Sequence, residues 1–142
     1  MPYYFAFAAN MDRHGMAERC PDAEALCLAR LDGWRYVITG DGMGAAVQAD
    51  ESIIQGVLWQ CSDADMAALD AFESVEDGLY SQIAVPVQTQ EGPRQAIIYV
   101  SPNPDEGTPR PDYQELVLAA ARDWQLPDDY IAELEGWLAE PS

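Results

Sequence analysis

Glu73 is the residue of this 142-residue chain whose surroundings best suit general-base chemistry. It stands at the end of a stretch, residues 62–72, in which apolar residues recur at helical spacing, and the strong turn signal Asp77-Gly78 follows it. A carboxylate at the frayed end of a short helix can point into a cleft, where a raised pKa lets it accept a proton. A solvated glutamate at a helix end is the plainer interpretation, and the spacing alone favours it.

Several other kinds of catalytic site are excluded by the residue types that the chain lacks. All seven basic residues are arginine, so neither Schiff-base chemistry nor a Walker-type phosphate loop is available. The single histidine, His14, lies in a polar stretch and is predicted to be a solvated loop residue rather than a base. No nucleophile-elbow sequence accompanies it, which argues against a Ser-His-Asp triad.

The cysteines give no sign of a metal centre. Cys20, Cys27 and Cys61 match no zinc-binding spacing, and one histidine leaves too few nitrogen ligands. We therefore expect no metal and no cofactor. An odd number of cysteines without a recognisable export signal predicts reduced thiols and a cytoplasmic location. No apolar run approaches the ~20 residues that a membrane-spanning helix needs.

The strong negative charge limits the partners of the protein. The formal net charge is −18, so the surface should repel nucleic acids and anionic membranes, and we expect neither as a partner. The length and an apolar content of 49% predict one folded domain over residues 1–142. We expect a monomer or a small homo-oligomer.

The order of the predicted elements, strands first and helices last, indicates an α+β fold with a mixed, barrel-like sheet and flanking helices. Ser62 and Asp65 form a capping-box-like pair that predicts the start of a helix. The dipeptide Asp32-Gly33 predicts a hairpin turn between two short strands. The predicted strands are 3–9, 26–31, 34–39, 45–49, 53–61, 80–89 and 95–101, and the predicted helices are 62 to about 73, 112–124 and one from 128 onward.

Several short segments, taken in their order along the chain, resemble the motifs of the γ-glutamylcyclotransferase family. The segment Tyr4–Met11 is similar to that family's opening Y-F-A-Y-G-S-N-L. The segment Leu69–Tyr80 is similar to L-D-x-x-E-G-V-x-x-G-x-Y, and Glu73 stands at the position of the motif's glutamate. The other similar segments are Arg19-Cys20-Pro21, Gln55-Gly56-Val57-Leu58-Trp59, Tyr113 with Ala119-Ala120-Ala121, and Leu126-Pro127-Asp128-Asp129-Tyr130. Their order and spacing make the set specific.

The resemblance implies an enzyme that cleaves small γ-glutamyl substrates, as in glutathione metabolism. In that family the α-amine of the substrate attacks its own γ-carbonyl, which forms 5-oxoproline and releases an amine or a peptide. The reaction needs no metal and no enzyme nucleophile, but it needs a base, because an ammonium group cannot attack. The resemblance places Glu73 at the position of that base.

By the same resemblance, the loop after the first strand would bind the substrate through its backbone N–H groups. The residues of this loop are Phe7, Ala8, Ala9, Asn10 and Met11. Phe7 replaces a tyrosine of the family pattern, Ala8 a glycine and Ala9 a serine. Backbone donors survive such changes, but two hydroxyl groups are lost, and alanine is strained if its position needs φ above zero.

Three tyrosines, Tyr80, Tyr99 and Tyr113, align with family tyrosines that line the pocket. Packing on a strand face is the alternative for Tyr80 and Tyr99. Three functions stay open at this point. The first is the cyclising enzyme, the second is a binding module of the same fold that has lost turnover, and the third is a related enzyme that acts on a γ-glutamylated intermediate.

Overall fold

A computed structural model describes residues 2–40, 42–72, 80–101 and 105–138. The strands in these ranges are β1 (Tyr3–Ala6), β2 (Glu24–Ile38), β3 (Gly44–Gln60), β4 (Ser81–Thr89) and β5 (Gly92–Val100). The helices are α1 (Arg13–Arg19), α2 (Asp63–Phe72), α3 (Tyr113–Asp123) and α4 (Asp128–Glu135), and a 3₁₀ helix spans Ala9–Met11. No helix in these ranges is long and apolar enough to cross a membrane.

The five strands close into a barrel in the order β1-β3-β2-β4-β5. β1 pairs antiparallel with β3 and parallel with β5, where Tyr4 lies opposite Ile97. The β2–β3 and β4–β5 pairs are antiparallel, and β2 meets β4 at Arg30 and Gln88, also antiparallel. Because one pairing is parallel, the sheet is mixed. The predicted α+β fold with a barrel-like sheet and flanking helices is therefore confirmed.

The β2–β3 hairpin is longer than predicted, because both strands continue through a bulge. Asp32 pairs with Ile53 and Trp34 pairs with Gln48, so Gly33 faces the β3 residues that lie between those two partners. Gly33 has a φ of +83°, a conformation that glycine adopts readily. The predicted hairpin turn at Asp32-Gly33 is therefore wrong, since an Asp-Gly pair supports a bulge as well as a turn. The four short strands predicted in this region form only two.

Close packing of β1 against β3 explains the glycine in the middle of β3. A Cβ atom added at Gly56 would lie 2.3 Å from the carbonyl oxygen of Ala6 and 2.9 Å from the ring of Phe5. Both Phe5 and Ala6 are completely buried, so a larger residue at position 56 would have to displace β1. Ala6 is the last residue of β1, so this close contact lies next to the loop of residues 7–10.

The start of α2 follows the predicted capping box. The backbone N–H of Asp65 donates to Ser62 Oγ at 3.1 Å, and the N–H of Ser62 donates to Asp65 Oδ2 at 3.0 Å. Asp65 is only 1% exposed, and its second oxygen accepts from the backbone N–H of Asp22 at 3.4 Å. α2 runs from this cap to Phe72.

The prediction that His14 lies in a loop is wrong, because the residue belongs to α1. Asp12 caps this helix by accepting a hydrogen bond from the backbone N–H of Gly15 at 3.0 Å. The side chain of His14 is 83% exposed, so its predicted solvation is confirmed.

Buried polar contacts tie α3 and α4 to the barrel. Gln114 is 1% exposed, accepts a hydrogen bond from Tyr36 Oη at 2.9 Å and donates to the carbonyl of Leu134 at 2.9 Å. Trp124 Nε1 donates to the carbonyl of Met11 at 2.7 Å. Because these groups are satisfied inside the protein, the two helices have a defined position on β2 and on the 3₁₀ helix.

Candidate functional site

The loop that follows β1 opens onto a pocket. Its empty volume is about 430 Å³, including the part that is open to solvent. The lining residues belong to β1, β3, β5, α2, α3 and the segments that connect the elements. They are Tyr4, Phe7, Ala8, Ala9, Asn10, Met43, Gly44, Phe72, Tyr80, Tyr99 and Tyr113. Of the residues predicted to bind substrate, all but Met11 line this one pocket.

The residues at the start of the 3₁₀ helix, Ala9 and Asn10, line the pocket. The N–H of Met11 donates to the carbonyl of Ala8, and the N–H of Asp12 donates to that of Ala9, both at 3.0 Å. The N–H groups of Ala9 and Asn10 belong to the first turn and have no acceptor within the helix. Ala8 has a φ of −133°, so this position does not need the positive φ that would demand glycine. The loop therefore keeps its donors although its side chains differ from the family pattern.

Met11 is the predicted substrate-binding residue that lies apart from the pocket. Its side chain is completely buried in the core. Its N–H already donates to Ala8, and its carbonyl accepts from Trp124. The predicted substrate contact from Met11 is therefore not part of this site, and the residue instead anchors the loop.

Asn10 is a buried polar residue beside the pocket, with 4% of its surface exposed. Its Nδ2 donates to Tyr4 Oη at 2.9 Å. Its Oδ1 is buried and has no hydrogen-bond partner in the described part of the chain. Functional sites are among the places where native proteins tolerate such an unsatisfied buried acceptor.

We call the lining residue Tyr99, together with Asp70 and Gln82 behind it, the carboxylate wall of the pocket. Tyr99 is 4% exposed, and its hydroxyl donates to Asp70 Oδ1 at 2.7 Å. Gln82 Nε2 donates to the same oxygen at 2.7 Å and lies 3.4 Å from Tyr99 Oη. The ring of Tyr99 packs edge-on against that of Tyr4, with 5.9 Å between their centres. Tyr99 therefore both packs in the core and lines the pocket, so the two interpretations of this tyrosine are compatible.

The first residue of β3, Gly44, connects two tyrosines. Its N–H donates to Tyr113 Oη at 2.9 Å. A Cβ atom at this position would lie 2.6 Å from Tyr36 Oη, so a larger residue would have to displace the buried ring of Tyr36. Burial raises the pKa of Tyr36 well above its usual value, so its hydroxyl stays protonated and donates to Gln114. We call Phe7, Ala8, Ala9, Asn10, Gly44 and Tyr113 the loop wall.

Glu73, the predicted base, lies outside the described residues. Its neighbour in the sequence, Phe72, lines the pocket, and so does Tyr80, the first described residue after position 79. Phe72 is 42% exposed, and the guanidinium carbon of Arg19 lies 4.2 Å from the centre of its ring. The two residues that flank segment 73–79 in the chain therefore meet at one pocket.

Sequence reasoning missed Tyr4, Met43, Gly44 and Phe72 as lining residues and Asp70 behind the wall. A signal was available for Asp70, which belongs to the L-D-x-x-E match, and for Gly44, which ends the glycine-rich stretch 40–44. Met43 and Phe72 carry no such signal, because nothing distinguishes them locally from other apolar residues.

The cysteines contribute no reactive group to the pocket. Burial raises the pKa of Cys20 to about 11 and that of Cys61 to about 12, so both remain thiols at neutral pH. Within the described ranges, no group of three or more His, Cys, Asp or Glu side chains is arranged to hold a metal ion.

Comparison with known proteins identifies the class to which this fold and pocket belong. The model of the AIG2-like family matches residues 53–134, which is more than half of the chain. The protein is therefore a member of the AIG2-like family.

Individual relatives and solved structures carry more specific names. The γ-glutamylcyclotransferase of Homo sapiens is 27% identical over 143 residues, covering 93% of this chain and 76% of the human protein. The γ-glutamylcyclotransferase of Mus musculus is 26% identical with the same coverage. A solved structure named gamma-glutamyl cyclotransferase superimposes with a TM-score of 0.90 and 26% identity, covering 99% of this chain and 89% of that one. The resemblance found in the sequence is thereby confirmed.

Proposed function

We propose that the protein is an enzyme of the γ-glutamylcyclotransferase type, which cyclises the γ-glutamyl group of an amine or peptide to 5-oxoproline. One observation carries the proposal. One pocket is lined by the loop whose first N–H groups have no acceptor within the 3₁₀ helix, by four tyrosines and by the residues on either side of segment 73–79. The relatives named γ-glutamylcyclotransferase support the same reaction.

Glu73 is the proposed general acid and base. It takes a proton from the α-ammonium group, which frees the nitrogen lone pair to attack the γ-carbonyl carbon. A bond forms between these two atoms, and the bond from the γ-carbon to the leaving nitrogen breaks. Glu73 relays protons from the attacking nitrogen to the leaving one, so the amine departs protonated. Ring closure is intramolecular, and a pocket that folds the γ-glutamyl chain therefore supplies much of the rate.

The loop wall is the proposed site for the negative charge that develops during the reaction. The N–H groups of Ala9 and Asn10 have no helical acceptor, which is the arrangement that stabilises a carboxylate or an oxyanion. Removal of one such donor typically lowers kcat by about 10²–10³. Side-chain changes at these positions leave the donors in place.

We expect one lining side chain to move when substrate enters the pocket. Phe72, at 42% exposure, is the lining residue most open to solvent and is therefore the one we expect to move.

A binding module without turnover is the second candidate. The observation that favours it is the loss of the two hydroxyl groups that the family carries at positions 7 and 9. The φ of −133° at Ala8 argues for the enzyme, because it shows that the altered loop holds its conformation without glycine.

The two candidates are separated by incubation with glutathione, γ-glutamyl amino acids and γ-glutamyl amines, with 5-oxoproline measured by mass spectrometry. We expect release from at least one of these substrates. Calorimetric binding of a γ-glutamyl ligand without release would support the binding module instead. A protein that neither binds nor cleaves any of them would contradict both.

A further inference from the structure

We propose that the pocket has an ammonium side, which Asp70 creates through Tyr99, and that this side selects ligands carrying an α-amine. The inference rests on the proposed function, because it assigns the groups of a γ-glutamyl substrate to the two walls of that pocket. Asp70 is then a positioning residue, since it contacts Tyr99 and not the substrate.

The direction of one hydrogen bond determines what Tyr99 offers to a ligand. A tyrosine hydroxyl has a single proton, and that of Tyr99 is donated to Asp70 Oδ1 at 2.7 Å. Toward the pocket Tyr99 can therefore act only as an acceptor. Gln82 donates to the same carboxylate oxygen at 2.7 Å, so Asp70 is held from two sides and the hydroxyl has a fixed direction.

The charge of Asp70 is not neutralised by its neighbours. Its partners, Tyr99 and Gln82, are both neutral donors. In the part of the chain that the structure describes, no Arg or His lies within 4.0 Å of this carboxylate. A negative charge one hydroxyl group behind a pocket wall attracts a cation into that pocket. The pocket is also lined by tyrosines, whose ring faces favour positive charge.

The loop wall has the opposite preference. The N–H groups of its lining residues Ala9 and Asn10 have no acceptor within the 3₁₀ helix, and a carboxylate or carbonyl oxygen is their natural partner. An α-amino acid head group therefore fits in one orientation, with its ammonium toward Tyr99 and its carboxylate toward the loop. Asn10 Oδ1 is a competing acceptor, because it is buried and has no hydrogen-bond partner among the described residues.

Two ligands that differ only in the α-amine test this assignment. We would measure the affinities of L-glutamate and glutarate by calorimetry for the parent protein and for Asp70→Asn. The asparagine still accepts from Tyr99 but has no charge. We expect the preference for glutamate over glutarate to fall by about tenfold or more in Asp70→Asn. The variant keeps the hydrogen bond from Tyr99 but loses the negative charge that attracts the ammonium group. The exposed Asp50→Asn, which makes the same chemical change away from the pocket, should leave the preference unchanged.

Tyr99→Phe tests the same inference from the other partner. It removes the hydroxyl, keeps the ring, and should lower the preference for glutamate in the same way. Because Asp70 acts through Tyr99, the double variant should lose little more than either single variant. Equal losses for glutamate and glutarate in Asp70→Asn, or no loss at all, would overturn the inference and would point to Asn10 as the amine acceptor. If Asp70→Asn still releases 5-oxoproline in that case, the proposed function survives. If the parent protein neither binds these ligands nor releases 5-oxoproline, the inference and the proposed function both fail.

Discussion

The two walls of the pocket differ in the groups that they offer to a ligand, backbone N–H groups in one and side chains in the other. In the site that we propose, the loop wall would bind through backbone N–H groups, at Ala9 and Asn10 in particular. The carboxylate wall would bind through side chains, with Asp70 hydrogen-bonded to Tyr99. The departures from the family pattern at positions 7, 8 and 9 all fall on the loop wall. Sequence can therefore drift where the backbone does the binding, whereas a wall built from side chains requires particular residues.

The largest effect is expected from Glu73→Gln, because no group in either wall can take over the role of Glu73 as the base. Glutamine is nearly isosteric and keeps hydrogen-bonding capacity, but it cannot accept a proton at neutral pH. General-base assistance is typically worth ~10²–10⁴ in rate, so the loss should appear in kcat and not in ligand affinity. The exposed Glu115→Gln is the control and should keep the parent rate. A Glu73→Gln enzyme as fast as the parent would remove Glu73 from the mechanism.

Gly44→Ala should be the most damaging change on the loop wall, because there the backbone itself needs space. The new Cβ atom would lie 2.6 Å from Tyr36 Oη and would disturb the bond from Gly44 N–H to Tyr113. We expect a loss of about 1–3 kcal/mol in the free energy of unfolding, the usual range for overpacking, together with a lower kcat/KM. Gly40→Ala is the matched control, since nothing lies within 4 Å of its added Cβ atom. Equal melting temperatures for the two variants would contradict the close approach of Tyr36.

A smaller effect is expected when the loop wall is returned to the family pattern. The double variant Ala8→Gly, Ala9→Ser should raise kcat/KM toward γ-glutamyl amino acids by at most about tenfold, the value of one added hydrogen bond. The gain is limited because Ala8, at a φ of −133°, already fits the loop. A gain of several orders of magnitude would show that the present loop is defective. No gain in a folded double variant would indicate a different substrate or a binding role.

The smallest effect concerns long-range charge, which both walls experience alike. The net charge of −18 should repel an anionic substrate such as glutathione, and salt shortens the range of that repulsion from about 30 Å at 0.01 M to about 8 Å at 0.15 M. We therefore expect KM for glutathione to fall modestly as salt is added. The KM for γ-glutamylethylamide, which has no net charge, should stay constant. A salt-independent KM for glutathione would count against this picture.

Local signals in the sequence predicted local structure well. The capping pair Ser62 and Asp65 is three residues apart, and both of its hydrogen bonds form. The bulge at Gly33 was mistaken for a turn because the same dipeptide serves both, and only the pairing of the distant strand distinguishes them.

Contacts that depend on barrel closure could not be predicted in this way. Asp70 and Tyr99 are 29 positions apart, and Gly44 and Tyr113 are 69 positions apart. The family motifs indicated which tyrosines would reach the pocket, but not that Asp70 would fix the direction of the Tyr99 hydroxyl. The side-chain wall was therefore the part of the site that required the structure.

The central claim is that the α-amine of the substrate becomes the ring nitrogen of 5-oxoproline. The most direct test uses γ-glutamylalanine with a heavy-nitrogen label in its α-amine, followed by mass spectrometry of both products. Intramolecular attack predicts labelled 5-oxoproline and unlabelled alanine, with no labelled glutamate beyond the level without enzyme. Release of labelled glutamate would show hydrolysis by water and would contradict the cyclisation that we propose.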